Sequence, residues 1–127
     1  MYINQVNLMG YLGADPEIRK SQSGIETVVL SLGVTKKEKD PKSDEKIDNT
    51  TWFRIKVINQ GLVTLSKSYL KKGTKLFITG ELEIRKYQDK LGKDQYITEI
   101  ILGRNGVLQF ENKFDAEEDK QKNEQKT

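Results

Sequence analysis

The sequence predicts an all-β domain: a five-stranded barrel with one helix between its third and fourth strands, followed by a disordered C-terminal tail. Three observations carry that expectation. Apolar residues recur at every second position in five separate segments, the period of a half-buried strand. A single segment, Leu62 to Lys71, shifts to a helical period. Glycines interrupt the first, second and fourth strands at Gly10, Gly33 and Gly80, where a strongly bent sheet needs them to close on itself.

The first strand spans Asn4 to Leu12, with Val6, Leu8, Gly10 and Leu12 on one face. Gly13-Ala14-Asp15-Pro16 is a turn, Glu17-Ile18-Arg19 resumes extended structure, and Ser21 to Gly24 is a hairpin connection. The second strand runs from Ile25 to Thr35, with Val28, Leu30, Leu32 and Val34 set against Thr27, Val29, Ser31 and Gly33. Gly33 within it marks a bulge, a bend or a close backbone approach. Lys36 to Asn49 holds five Lys and five Asp/Glu and reads as a long exposed loop. The third strand is Thr50 to Ile58. In the helix that follows, Leu62, Leu65 and Tyr69 join Val63, Ser66 and Leu70 on one face, and Gly73 supplies a left-handed stop. The fourth strand is Lys75 to Arg85, with Leu76, Ile78, Gly80, Leu82 and Ile84 inward. A tip at Asp89–Asp94, a fifth strand at Gln95–Leu102 and a short last strand at Val107–Phe110 complete the order. Three strands, one helix and two strands make the oligonucleotide-binding barrel, the OB-fold.

The 127 residues suffice for one domain, expected over residues 1–110. Residues 111–127 contain one large apolar side chain, Phe114, too little burial to offset ordering entropy, so they read as a disordered, mildly acidic tail. There is no cysteine and no histidine, which removes thiolate metal sites, the commonest zinc ligand and the commonest general base. No cofactor and no metal site is expected. No apolar run is long enough for a membrane span and no leader is legible, so a cytoplasmic, nucleoid-associated binding protein is expected. Residues 1–110 hold 18 Lys/Arg against 13 Asp/Glu, whereas residues 111–127 hold 4 against 6. A basic body suits a polyanionic partner.

Aromatic and basic residues interleave at two places. Trp52-Phe53-Arg54-Ile55-Lys56 lies on the third strand and Arg85-Lys86-Tyr87 closes the fourth. An aromatic face ringed by cations is what stacking on unpaired bases requires, since every base has a π-face and every nucleotide a phosphate. The sole Trp is equally a core candidate on burial statistics. Lys71-Lys72-Gly73 is equally a helix C-terminus where cations favour the dipole. Phe53 and Phe77 point opposite to Trp52 and Ile78 and are assigned to core or oligomer contact rather than to DNA. Lys36 and Lys37 sit in a charge run that reads as solvated, though within reach of phosphates.

Across residues 4–102 the chain resembles bacterial-type single-stranded DNA-binding proteins. The matching pieces are Asn4 through Arg19, Thr51-Trp52-Phe53-Arg54, Tyr69-Leu70-Lys71-Lys72-Gly73, Phe77 through Leu82, Arg85-Lys86-Tyr87 and Tyr96-Ile97-Thr98-Glu99. The resemblance implies an OB-fold protomer, a homotetramer, and DNA wrapped around it during replication, recombination and repair. It implies base stacking at Trp52 and at Tyr87, where the family usually has Trp, and phosphate contacts at Arg54, Lys72, Arg85 and Lys86; Lys56 joins them from its place beside Trp52. Two family platforms are missing: Ile58 stands where Phe is usual, and Lys37-Glu38 where a third Trp is expected. The acidic Pro-Phe ending that recruits replication and repair proteins is also missing: the sequence ends Asn-Glu-Gln-Lys-Thr. Two alternatives stay open. One is a dimeric OB-fold replication adaptor of primosomal type with weak binding. The other is a nuclease, for which Asp15, Glu17 and Glu26 are the nearest carboxylates that a metal would need.

Overall fold

The computed structural model describes residues 1–111. Within them the order is β1 (Val6–Leu12), β2 (Glu17–Lys20), β3 (Glu26–Lys39), β4 (Lys46–Val57), α1 (Gln60–Tyr69), β5 (Lys75–Gln88), β6 (Asp94–Leu102) and β7 (Val107–Glu111). The strands pair in the order β1-β3-β4-β6-β5, and a β1–β5 ladder from Val6↔Gly80 to Tyr11↔Lys75 closes the ring. All ring contacts are antiparallel except β4–β6. This is the five-stranded OB barrel, with its helix between the third and fourth barrel strands, here β4 and β5. The short β2 folds back on β3, and β7 lies against the first half of β5.

Alternation fills the barrel as the sequence requires. Val28, Leu30 and Leu32 of β3 face Val57, Ile55 and Phe53 of β4 in register. With Leu76, Ile78 and Leu102 they form the core, joined by Val63 of α1 and by Leu70 just after the helix. Gly10 permits a close approach: a Cβ there would lie 2.1 Å from the carbonyl oxygen of Gly33. Gly80 does the same against β6, where a Cβ would meet the Ile101 carbonyl oxygen at 2.7 Å.

Four sequence expectations are corrected. Lys36–Asn49 is a β-ribbon, not a loop: the β3–β4 ladder continues to Lys39↔Lys46. Both faces of this ribbon meet water, so no apolar alternation marks it. Backbone pairing and the cross-strand Thr35–Thr50 hydroxyl contact at 2.8 Å hold it instead, while the Lys36–Glu38 ion pair runs along β3 alone. Its tip is organised by Asp40, whose carboxylate accepts from the Lys42 N–H and the Ser43 hydroxyl. The helix begins at Gln60, with the Asn59 side chain accepting from the Leu62 N–H at 3.2 Å, and ends at Tyr69. Gly73, with φ +90, belongs to the following turn, in which the Thr74 N–H donates to the Lys71 carbonyl, a position that requires positive φ. Leu82 and Ile84 are exposed rather than inward, because β5 and β6 leave the barrel past Gly80 as a projecting hairpin. Finally, Glu111 is the last residue of β7, paired with Lys75. The rest of the expected tail, 112–127, lies outside the described residues.

Candidate functional site

The site is the outer face of β3, β4, β6 and the projecting β5–β6 hairpin. Since Phe53, Ile55 and Val57 face the core, alternation turns Trp52, Arg54 and Lys56 outward. On β6 the outward set is Gln95, Ile97, Glu99 and Ile101; on β5 it is Glu81, Glu83, Arg85 and Tyr87. The two aromatic–basic clusters of the sequence therefore share one face, Trp52 at one side and Tyr87 at the other.

Trp52 remains 59% exposed despite its size. It stands opposite Gly33 in the β3–β4 register. Its six-membered ring covers two glycines: a Cβ would come within 2.7 Å of the ring at Gly33 and 2.4 Å at Gly13. The ring thus lies down on backbone and offers its other side to solvent. The core alternative for Trp52 is excluded by this exposure.

Between the two aromatics sits Glu99, only 2% exposed. Its carboxylate accepts from Arg54 Nε at 2.9 Å and from Arg85 Nε at 3.2 Å. Burial alone would push the Glu99 carboxyl up, but the hydrogen bonds and charges of Arg54 and Arg85 outweigh it and hold the group below the usual carboxylate range. The terminal nitrogens of both guanidiniums make no hydrogen bond among the described residues. Sequence reasoning missed Glu99. Its signal was a lone carboxylate at an outward position of a strand flanked by two arginine-bearing strands, visible only once β6 is placed between β4 and β5.

Tyr11 was missed as well. It is 56% exposed and pairs with Gly33 from the β1 side, as Trp52 does from the β4 side. The two exposed aromatics flank one glycine. Lys37 shares the outer face, opposite Asp48, whereas Lys36 points to the reverse side.

The remaining sequence-predicted residues divide. Lys56 lies half-buried on the face, between Val29 and Ile101. Lys72 occupies the turn after α1, and its backbone N–H donates to Asp15 Oδ1 at 2.8 Å, next to the Gly13 segment under Trp52. Lys86 points away from Arg85 and Tyr87 and pairs with Asp94 at 3.2 Å. Ile58 is exposed just beyond β4. Phe53 faces inward against the core, one of the two roles expected for it. Phe77 lies on the outer face of β1, β5 and β7, lining a shallow hollow with Met9 and Phe110. The three nuclease-type carboxylates are separately engaged: Asp15 with Lys72, Glu17 with Arg19 and Glu26 with Lys67. Among the described residues no acidic cluster is placed to hold a metal ion, and no helix is long and apolar enough to cross a membrane.

The sequence matches the profile of the Single-strand binding protein family over residues 3–109. It is 42% identical over 107 residues to a single-stranded DNA-binding protein of Rhizobium meliloti (strain 1021), covering 84% of this chain and 62% of that protein. It is 40% identical over 100 residues to the protein of that name from Rickettsia typhi, covering 79% of this chain and 66% of the relative. The chain thus spans just under two thirds of the length of these curated relatives. Among solved structures, a Plasmodium falciparum SSB complex with ssDNA superposes with a TM-score of 0.79 at 33% identity, covering 88% of this chain and 97% of that one.

Proposed function

The chain belongs to the single-strand binding protein family, and from that premise we propose that it binds single-stranded DNA without sequence preference, protecting it during replication, recombination and repair. Residues 1–111, through the end of β7, are the binding domain. Bases stack on Trp52 and Tyr87, and Arg54, Lys56 and Arg85 meet phosphates between them, with Lys72 at the Trp52 end. Lys86, on the reverse of the hairpin, engages only a strand that crosses the hairpin edge. The observation that carries this reading is the exposed indole of Trp52 on a face shared with Arg54 and Arg85. The solved relative in complex with ssDNA supports it. The reading is one of binding without catalysis, cofactor or metal, in the cytoplasm at the nucleoid.

Assembly as a homotetramer belongs to the same reading, with Phe77 and Met9 on a sheet face that a second protomer would cover. The dimeric adaptor alternative is favoured only by the two positions, Lys37 and Ile58, that cannot stack.

Trp52 is the sole Trp, so its emission reports binding directly. Titration with poly(dT) should quench it strongly, duplex DNA far less, with the mass in the same buffer distinguishing tetramer from dimer. Unchanged emission at saturating poly(dT), with no binding by an independent anisotropy measurement, would overturn the reading.

A further inference from the structure

A buried carboxylate in the middle of a face that must attract a polyanion is at odds with charge alone. The outer face carries Lys37, Lys39, Lys46, Arg54, Lys56 and Arg85, but also Asp48, Glu81, Glu83 and Glu99. Its cations exceed its carboxylates by only two. Long-range attraction is therefore modest, and what the face offers a phosphate depends on where each guanidinium is held.

Among the described residues, Glu99 is the one side chain that pairs with both arginines. It lies on β6, the strand between β4 and β5, and gives one oxygen to each Nε, at 2.9 Å and 3.2 Å. Pairing through Nε fixes the long side chain yet leaves the terminal nitrogens open. Those are the donors that form bidentate contacts with phosphate oxygens. Arg54 lies two residues from Trp52 on β4 and Arg85 two residues from Tyr87 on β5, each on the barrel side of its aromatic, so the pair links the two aromatic platforms across β6. Stability alone is a poor reason for such a group, because a buried ion pair is often no more stabilising than an apolar replacement. Preorganisation is a better one: two flexible side chains are ordered before the ligand arrives.

We propose that Glu99 is a positioning residue, whose carboxylate sets Arg54 and Arg85 as a two-armed clamp for one phosphodiester lying between the bases stacked on Trp52 and Tyr87. The proposal rests on the single-strand binding reading above.

The test uses the full chain, a dT oligonucleotide and a series of salt concentrations. The two accounts differ in sign. Glu99→Gln adds one net positive charge to the face, so charge alone predicts tighter binding and a steeper salt dependence. The clamp predicts the opposite: binding weaker by about tenfold, as for loss of a charge-assisted contact, and a salt slope shallower by roughly 0.7, as one phosphate contact is lost. Arg85→Lys keeps the charge and the exposed hairpin position but cannot hold Glu99 and phosphate with separate nitrogens. It should also bind several-fold more weakly, and it decides alone if Glu99→Gln does not retain the wild-type circular dichroism. Wild-type binding with an equally tight or tighter Glu99→Gln, or with unchanged Arg85→Lys, overturns the clamp and leaves the single-strand reading standing. Weaker binding with an unchanged slope in folded Glu99→Gln likewise overturns it, assigning Glu99 to structure. No binding by the wild type overturns the single-strand reading and the clamp together.

Discussion

The indole of Trp52 rests on Gly33, its partner across the β3–β4 ladder, and a Cβ at Gly33 would fall 2.7 Å from Cζ3 of the ring. A glycine in a strand normally weakens it; here the missing side chain is replaced by an aromatic from the neighbouring strand. Gly13 supports the same ring, with a Cβ falling 2.4 Å from Cζ3. Its backbone does not require positive φ, so alanine fits the chain but not the ring. Gly13→Ala should therefore leave the fold intact and lift the indole off its seat. Its emission should shift to the red in the free protein, and affinity for poly(dT) should fall by about 1 kcal/mol, the low end of the value of one stacked base. Emission and affinity both equal to wild type would show that the seat does not matter.

Tyr11 flanks Gly33 from the other side and is as exposed as Trp52. Ile58 and Lys37 offer no π-face, and Tyr11 adds one beside Trp52. Tyr11→Ala should cost roughly 1 kcal/mol in binding, whereas Tyr11→Phe, which keeps the π-face, should bind as wild type. Equal binding by Tyr11→Ala would remove it from the DNA path.

Barrel order, helix and the Trp52 face were legible because each rests on a local period: alternation in β1, β3 and β4 and a helical stretch at α1. What was not legible has one physical cause. Alternation reports burial, and the β3–β4 ribbon and the β5–β6 hairpin project into water on both faces. The ribbon 36–49 looked like a loop because it buries nothing, while Leu82 and Ile84 looked buried because they continue an alternation that Gly80 ends. Glu99 could not be singled out because its partners arrive from two strands distant in sequence. Lys86 was grouped with Arg85 by adjacency, although neighbours on a strand face opposite ways.

Phe77 sits half-buried on the outer face of β1, β5 and β7, beside Met9 and with Lys75 and Glu111 at the rim. It contributes nothing to the barrel interior, where Leu76 and Ile78 point. Phe77→Arg should therefore leave the protomer folded and prevent a second copy from covering this face. Light scattering at micromolar concentration should give four times 14.6 kDa for the wild type and a smaller mass for the variant. A tetrameric Phe77→Arg would place the contact elsewhere.

Glu99 also links stability to pH. Burial opposes its ionisation, yet Arg54 and Arg85 hold its folded pKa below the usual carboxylate range. Such a group adds stability that is fully present above the unfolded pKa and is lost as pH falls through the folded one. Glu26, Asp40 and Asp89 are lowered too, so acid sensitivity of the wild type alone is not specific. The difference between wild type and Glu99→Gln isolates the group, because the other three are common to both. Glu83, its cross-strand neighbour, is likewise common to both. Urea unfolding should show Glu99→Gln less stable by on the order of 1–3 kcal/mol at neutral pH, the range for hydrogen bonds to charged groups. That gap should narrow steadily once the pH drops below the ordinary glutamate range. Protonated Glu99 and the amide of the Glu99→Gln variant are then both uncharged acceptors between two arginines. A gap independent of pH would mean that the side chain stabilises by packing rather than by its charge.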